Sequence, residues 1–167
     1  MRNRLIQPKE YYDGAVPSSN AVAALNFLRL SRITGDIALK DKAQEQFRVF
    51  AGRISQNPFA GSFWLLAGMH YLYPASEVVI AGERREEDTE AMLKLINSEY
   101  RPDIQVIFRD AGEEAFWREI MPFSADMRSR QGKATAYVCE NYTCQEPVSS
   151  LKDLKAILNR SKPKPFA

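Results

Sequence analysis

A chain of 167 residues, 45% hydrophobic and 26% charged, holds enough apolar material for a packed core beneath an ordinary water-facing surface. Its formal net charge of +2, with basic residues interleaved among acids as in Glu83-Arg84-Arg85-Glu86-Glu87-Asp88, leaves no phosphate track, so no nucleic-acid partner is expected. No apolar run approaches the roughly 20 residues that cross a bilayer, none follows the basic residues after Met1, and two cysteines make no disulfide framework, so a cytoplasmic protein with neither a secretory signal nor a membrane partner is expected.

The spacing predicts three helices first. Ser18, Ser19 or Asn20 can cap the first, because a short side-chain oxygen satisfies an otherwise orphan N–H. Val22, Leu25 and Leu28 follow at helical spacing, with Ile33 as an extension, and Gly35 stops the helix. Asp36 caps the second helix, whose stripe is Leu39, Ala43, Phe47, Phe50 and Ile54, and Asn57-Pro58 ends it. The third is expected over Phe59–Tyr73, with Phe63, Leu66, Met69 and Leu72 as its bulk and Gly61 and Gly68 permitting close backbone approach. A helix apolar on most sides is expected to be buried on more than one.

After Pro74 the pattern changes. Ser76 to Ala81 reads as a buried strand, Thr89 to Tyr100 as an amphipathic helix and Ile104 to Phe108 as a second strand, together a βαβ unit. Residues 111–132 read as loop with a short helix around Phe116 and Trp117. Ala134 to Cys139 is a third strand, and Ser149 or Ser150 caps a last helix carrying Leu151, Leu154, Ile157 and Leu158. The expected class is therefore α+β: a helical array over 1–74, a small unit of about three strands with a carboxy-terminal helix over 75–160, and a fraying tail over 161–167.

Two segments carry a resemblance: Tyr12 to Leu30, containing Asp13-Gly14-Ala15-Val16-Pro17-Ser18-Ser19-Asn20, and Thr135-Ala-Tyr-Val-Cys-Glu-Asn-Tyr-Thr-Cys144, with the Glu77-Val-Val-Ile-Ala-Gly82 strand between them. Here the chain resembles the carboxy-terminal part of the thioredoxin-domain-containing, spermatogenesis-associated protein 20-like family. The resemblance implies a thioredoxin-like domain followed by an (α/α)6 toroid similar to six-hairpin glycosidases and sugar epimerases. The chain departs from that pattern: it has no Cys-x-x-Cys and about three toroid helices, where a full ring has twelve. It therefore looks like a carboxy-terminal fragment or split remnant. Three helices cannot close a ring, and the expected partner is a second copy or the remainder of the parent protein.

Within that frame Asp13, Ser18, Ser19 and Asn20, at a helix amino terminus, are candidates for binding sugar hydroxyls. They serve equally as a turn and cap, with Gly14 free to take positive φ. His70, the sole histidine, lies on an apolar stripe and is either a general base or a core residue. Cys139 and Cys144 are redox candidates that meet only if the chain turns between them; otherwise they pack as buried thiols. Gly82 lacks the companions of a dinucleotide fingerprint, and no cofactor or metal is expected. Glu113-Glu114 and Arg109-Asp110 read as solvated charges, and no carboxylate pair is fixed for glycoside hydrolysis.

Overall fold

The computed structural model describes residues 10–73, 76–102, 104–140 and 143–160, and the class is α+β. These residues form two compact units. One comprises the described residues up to 32 together with 36–73, and the other comprises 33–35 with the described residues from 76 onward.

The first unit is helical. Helix α1 spans Ser19–Thr34 and begins at Ser18, whose carbonyl accepts the Val22 N–H and whose hydroxyl lies 3.4 Å from the Ala21 N–H. Gly35, at φ 76°, ends it in the left-handed conformation that glycine adopts without a Cβ penalty. Helix α2 spans Ile37–Gln56, capped by Asp36, whose carboxylate accepts the Ala38 N–H. A 3₁₀ turn over Pro58–Gly61 precedes α3, Ser62–Leu72. The single helix expected over 59–73 is thus interrupted, because Gly61 takes a non-helical conformation (φ −137°, ψ 46°) and Pro58 starts a separate tight turn.

The core of this unit is Ala21, Ala24, Leu25, Phe50, Trp64 and Ala67. Trp64 is its largest member: its ring stands edge-on to Phe47 and tilts against Phe50 at 4.7 Å, while its indole N–H donates to the Tyr11 carbonyl. Alanines at 21, 24 and 67 let the helices approach closely enough for one indole to fill the centre.

The second unit is a four-stranded sheet in the order β2-β1-β3-β4. Strands β1 (Ser76–Gly82) and β2 (Ile104–Asp110) are parallel and joined through α4 (Glu87–Asn97), so the expected βαβ unit is present. Strand β3 (Thr135–Glu140) pairs antiparallel with β1, and the two-residue β4 (Thr143–Cys144), a strand beyond the three expected, pairs antiparallel with β3. Val78, Ile80, Ala136 and Val138 face α4 and α6 (Leu151–Arg160). Val79, Ala81, Tyr137 and Cys139 face the opposite side, covered by Met121, Met127 and Trp117 of the segment around α5 (Glu114–Ile120). Covered on both faces, β1 reads as a continuous apolar run and not as an alternation. Helix α6 is capped by Ser150, which accepts the Asp153 N–H and donates to the Asp153 carboxylate.

Gly82 serves packing. A Cβ placed there would lie 2.4 Å from the Thr89 hydroxyl, so the glycine lets α4 close on the end of β1. Asp88 fixes the same corner, one carboxylate oxygen accepting the Ala134 N–H at 2.7 Å and the other the Thr89 N–H.

Candidate functional site

Three constellations carry chemistry beyond simple core packing. The first surrounds Asp13. Its Oδ1 accepts the Ser18 N–H and its Oδ2 the Phe63 N–H, both at 2.7 Å, while its own N–H donates to the Ala60 carbonyl at 2.8 Å. One carboxylate thereby serves the starts of α1 and α3, where a negative charge meets the positive ends of two helix dipoles. Ser18 is buried as the α1 cap, and the Asn20 amide donates to the Glu10 carbonyl. Ser19 stands exposed. The structure therefore brings Asp13 and Ser18 together by direct hydrogen bonding and ties Asn20 to the chain just before the turn. Each residue so bound holds the loop against the helices. His70 is half-buried, and its carbonyl accepts a hydrogen bond from the Arg32 guanidinium.

The second constellation corrects the view of Arg109 as a solvated charge. Residues 107 and 109 of β2 point to one face of the sheet, the face that α5 and residues 121–127 cover. Arg109 is 1% exposed; its Nη1 donates to the Met127 carbonyl at 2.8 Å and its Nη2 to Glu114 Oε2 at 2.9 Å. Glu114 also lies 3.6 Å from Arg128. The hydrogen bond from Arg109 holds the Glu114 carboxyl below its ordinary range, against a smaller opposing effect of desolvation. Tyr137 adds a clamp: its hydroxyl donates to the Arg128 carbonyl and accepts the Arg128 N–H. Asp110 pairs with Arg84 at 2.9 Å. Period-two alternation from Ile107 was the available signal that Arg109 points inward; its ionic character obscured it.

The third is the cysteine pair. Strand β3 ends at Glu140 and β4 begins at Thr143, so the chain reverses and Cys139 falls opposite Cys144. The two are joined by a disulfide, with Cα atoms 3.9 Å apart. The Gln145 N–H donates to the Val138 carbonyl, which places the cysteines on a non-hydrogen-bonded rung, the closer of the two kinds in an antiparallel pair. With the two sulfurs joined, the alternative of buried thiols holds for neither residue; Cys139 is 2% exposed, whereas Cys144 lies on an exposed edge strand. Asn141 and Tyr142 lie outside the described residues.

The surface offers one further feature. Along α3, Leu65, Met69 and Leu72 recur at i, i+4 and i+7 and stand 46%, 49% and 72% exposed, opposite the face that buries Trp64 and Ala67. The expectation that this helix is buried on several sides is therefore not met: one apolar side is covered and the other faces water. Phe59, just before it, is 94% exposed. Among the described residues no helix is long and apolar enough to cross a membrane.

Comparison with known proteins places most of the chain beside one group. It is 33% identical over 151 residues to spermatogenesis-associated protein 20 of Homo sapiens, covering 90% of this chain and 19% of that protein. The Rattus norvegicus protein of the same name is 31% identical over 152 residues, and an uncharacterised Caenorhabditis elegans protein, B0495.5, is 23% identical over 156. The chain spans about a fifth of the length of these relatives. No protein-family profile matches it, and no solved structure does.

Proposed function

We propose that the chain is a non-catalytic packing module of a spermatogenesis-associated protein 20-type assembly, in which α1–α3 dock on further helices of an (α/α) ring. The observation that carries the proposal is the water-facing Leu65–Met69–Leu72 stripe of a helix whose opposite face is already buried. A fully exposed side chain of this kind gains about 1.5–3 kcal/mol on full burial, so leaving three of them about half exposed or more on one helix is costly unless another surface covers them. The occupant is the remaining part of the longer polypeptide type, because the relatives align here over only about a fifth of their length. Its chemistry is that of an amphipathic helix pair, apolar toward α3.

The test is co-expression with the polypeptide from the same organism that aligns to the rest of spermatogenesis-associated protein 20, followed by size-exclusion chromatography with light scattering. The expected result is a 1:1 complex that Leu65→Glu with Met69→Glu abolishes, while the variant chain keeps its native circular dichroism. A chain that stays monomeric beside that polypeptide overturns the proposal. A concentration-dependent homodimer that the same variants dissolve replaces the occupant with a second copy and overturns it as well.

A further inference from the structure

We propose that the Cys139–Cys144 bridge is a reversible thiol–disulfide exchange site, attacked at Cys144 by an external dithiol. The placement of the two sulfurs argues for exchange. Cys139 is packed among Val79, Ala81, Ile107, Met121, Met127 and Tyr137, out of reach of a reagent in solution. Cys144 terminates a two-residue edge strand, both of whose residues are exposed. A nucleophile can therefore approach one sulfur and not the other, an asymmetry that fixes which bond partner leaves.

A purely structural role fits the same geometry less well. The two cysteines are separated by 5 positions, and cross-linking so short a loop constrains the unfolded chain least. Nor is the bridge needed to anchor the following strand-like segment, because Gln145 bonds to the Val138 carbonyl and Val148 exchanges both backbone hydrogen bonds with Ala136. Opening the disulfide leaves those contacts in place. Residues 143–144 then gain freedom while the sheet persists, as a reversible site requires.

The reaction balances as follows. A thiolate of the external dithiol attacks Cys144 Sγ; the bond between the two sulfurs breaks, and Cys139 leaves as a thiolate that takes up a proton. The second thiolate of the dithiol then attacks its own sulfur in the mixed disulfide and releases Cys144 as a thiolate, which is also protonated. The dithiol is oxidised to a disulfide, and its two electrons and two protons reside on Cys139 and Cys144. In reverse, the reduced pair reduces a disulfide of the partner.

Dithiothreitol serves as the probe. The folded chain is equilibrated with reduced and oxidised dithiothreitol at graded ratios, quenched in acid, alkylated and weighed by mass spectrometry, with circular dichroism in parallel. Reversible gain and loss of two alkylatable thiols without unfolding is expected, with faster amide exchange confined to residues 143–144. A bridge that opens only in denaturant overturns the proposal in favour of a structural cross-link. A pair that stays reduced at every ratio overturns it in favour of inert thiols. Direction is read with glutathione disulfide: Cys139→Ser is expected to form a mixed disulfide at Cys144 at least tenfold faster than Cys144→Ser does at Cys139. Equal rates in the folded variants, or the opposite order, overturn attack at Cys144. Should either variant fail to fold, the wild-type chain, trapped by alkylation during reduction, reports the same order through which cysteine carries the mixed disulfide.

Discussion

The two units of this chain dispose of their apolar residues differently. The sheet unit covers both faces of β1 and β3, one with α4 and α6 and the other with the α5 segment, so its core closes on itself. The helical unit buries a single cluster around Trp64 and leaves Leu30, Ile37, Val49, Phe59, Leu65, Met69 and Leu72 exposed. A two-sided sheet completes its burial with elements near it in sequence, whereas a three-helix layer has an outer side that its own helices cannot cover. The contrast also extends to charge. The sheet unit buries an arginine, whereas the helical unit keeps the Asp13 and Asp36 carboxylates at the starts of helices.

The comparison breaks most easily at Arg109. Arg109→Ala is expected to destabilise the chain by about 3 kcal/mol, because it removes the donors to Met127 and Glu114 and opens a void in a closed core. Urea unfolding followed by Trp117 fluorescence, in a Trp64→Phe background, checks this. An effect under about 1 kcal/mol would mean that the α5 segment is held by its methionines alone.

Asp13→Ala tests the helical unit in the same currency. It leaves the Ser18 and Phe63 N–H groups without their acceptor, with an expected loss of about 2 kcal/mol. Asp13→Asn keeps an acceptor but loses the charge at two helix starts, and should fall between Asp13→Ala and the wild type. Thermal melts of all three give the order directly.

The smallest effect sharpens the electrostatic side. Glu114 is held below its ordinary value by Arg109, so its stabilising contribution is fully present above the unfolded-state value and fades as pH falls through the lowered folded value. Because its side chain is 38% exposed, solvent screening limits that contribution to about 0.5 kcal/mol. Glu114→Gln should therefore differ from wild type at neutral pH and converge with it in acid, as measured by urea midpoints from pH 7 down to about 3. A gap that widens in acid would reverse the sign and remove Arg109 as the cause.

Much of the fold was legible in local sequence because its signals are local. Gly35 and Asp36 mark one helix end and the next start through a positive φ and a side-chain cap, both set within a few residues. The apolar run at 76–81 and the Ile104 strand bracket a helix of the right length for a crossover. The loop at 12–20 was readable as turn and cap, but its link to α3 was not, since Phe63 lies 50 residues from Asp13. Cys139 and Cys144 were legible as a pair conditional on a turn, and the pairing of β3 with β4 supplied it.

What the sequence determined by itself was the class, the order of the main helices and the first three strands, and the capping sites, because periodicity, caps and breakers act over a turn or a strand. What only the tertiary structure decided was which face of each element is covered. Trp64, not Phe63 or Leu66, became the centre of the helical core, Arg109 was drawn inside beneath α5, and Leu65, Met69 and Leu72 were left in water. Burial depends on which distant elements arrive to cover a face, and an apolar stripe is written identically whether its partner is present or absent.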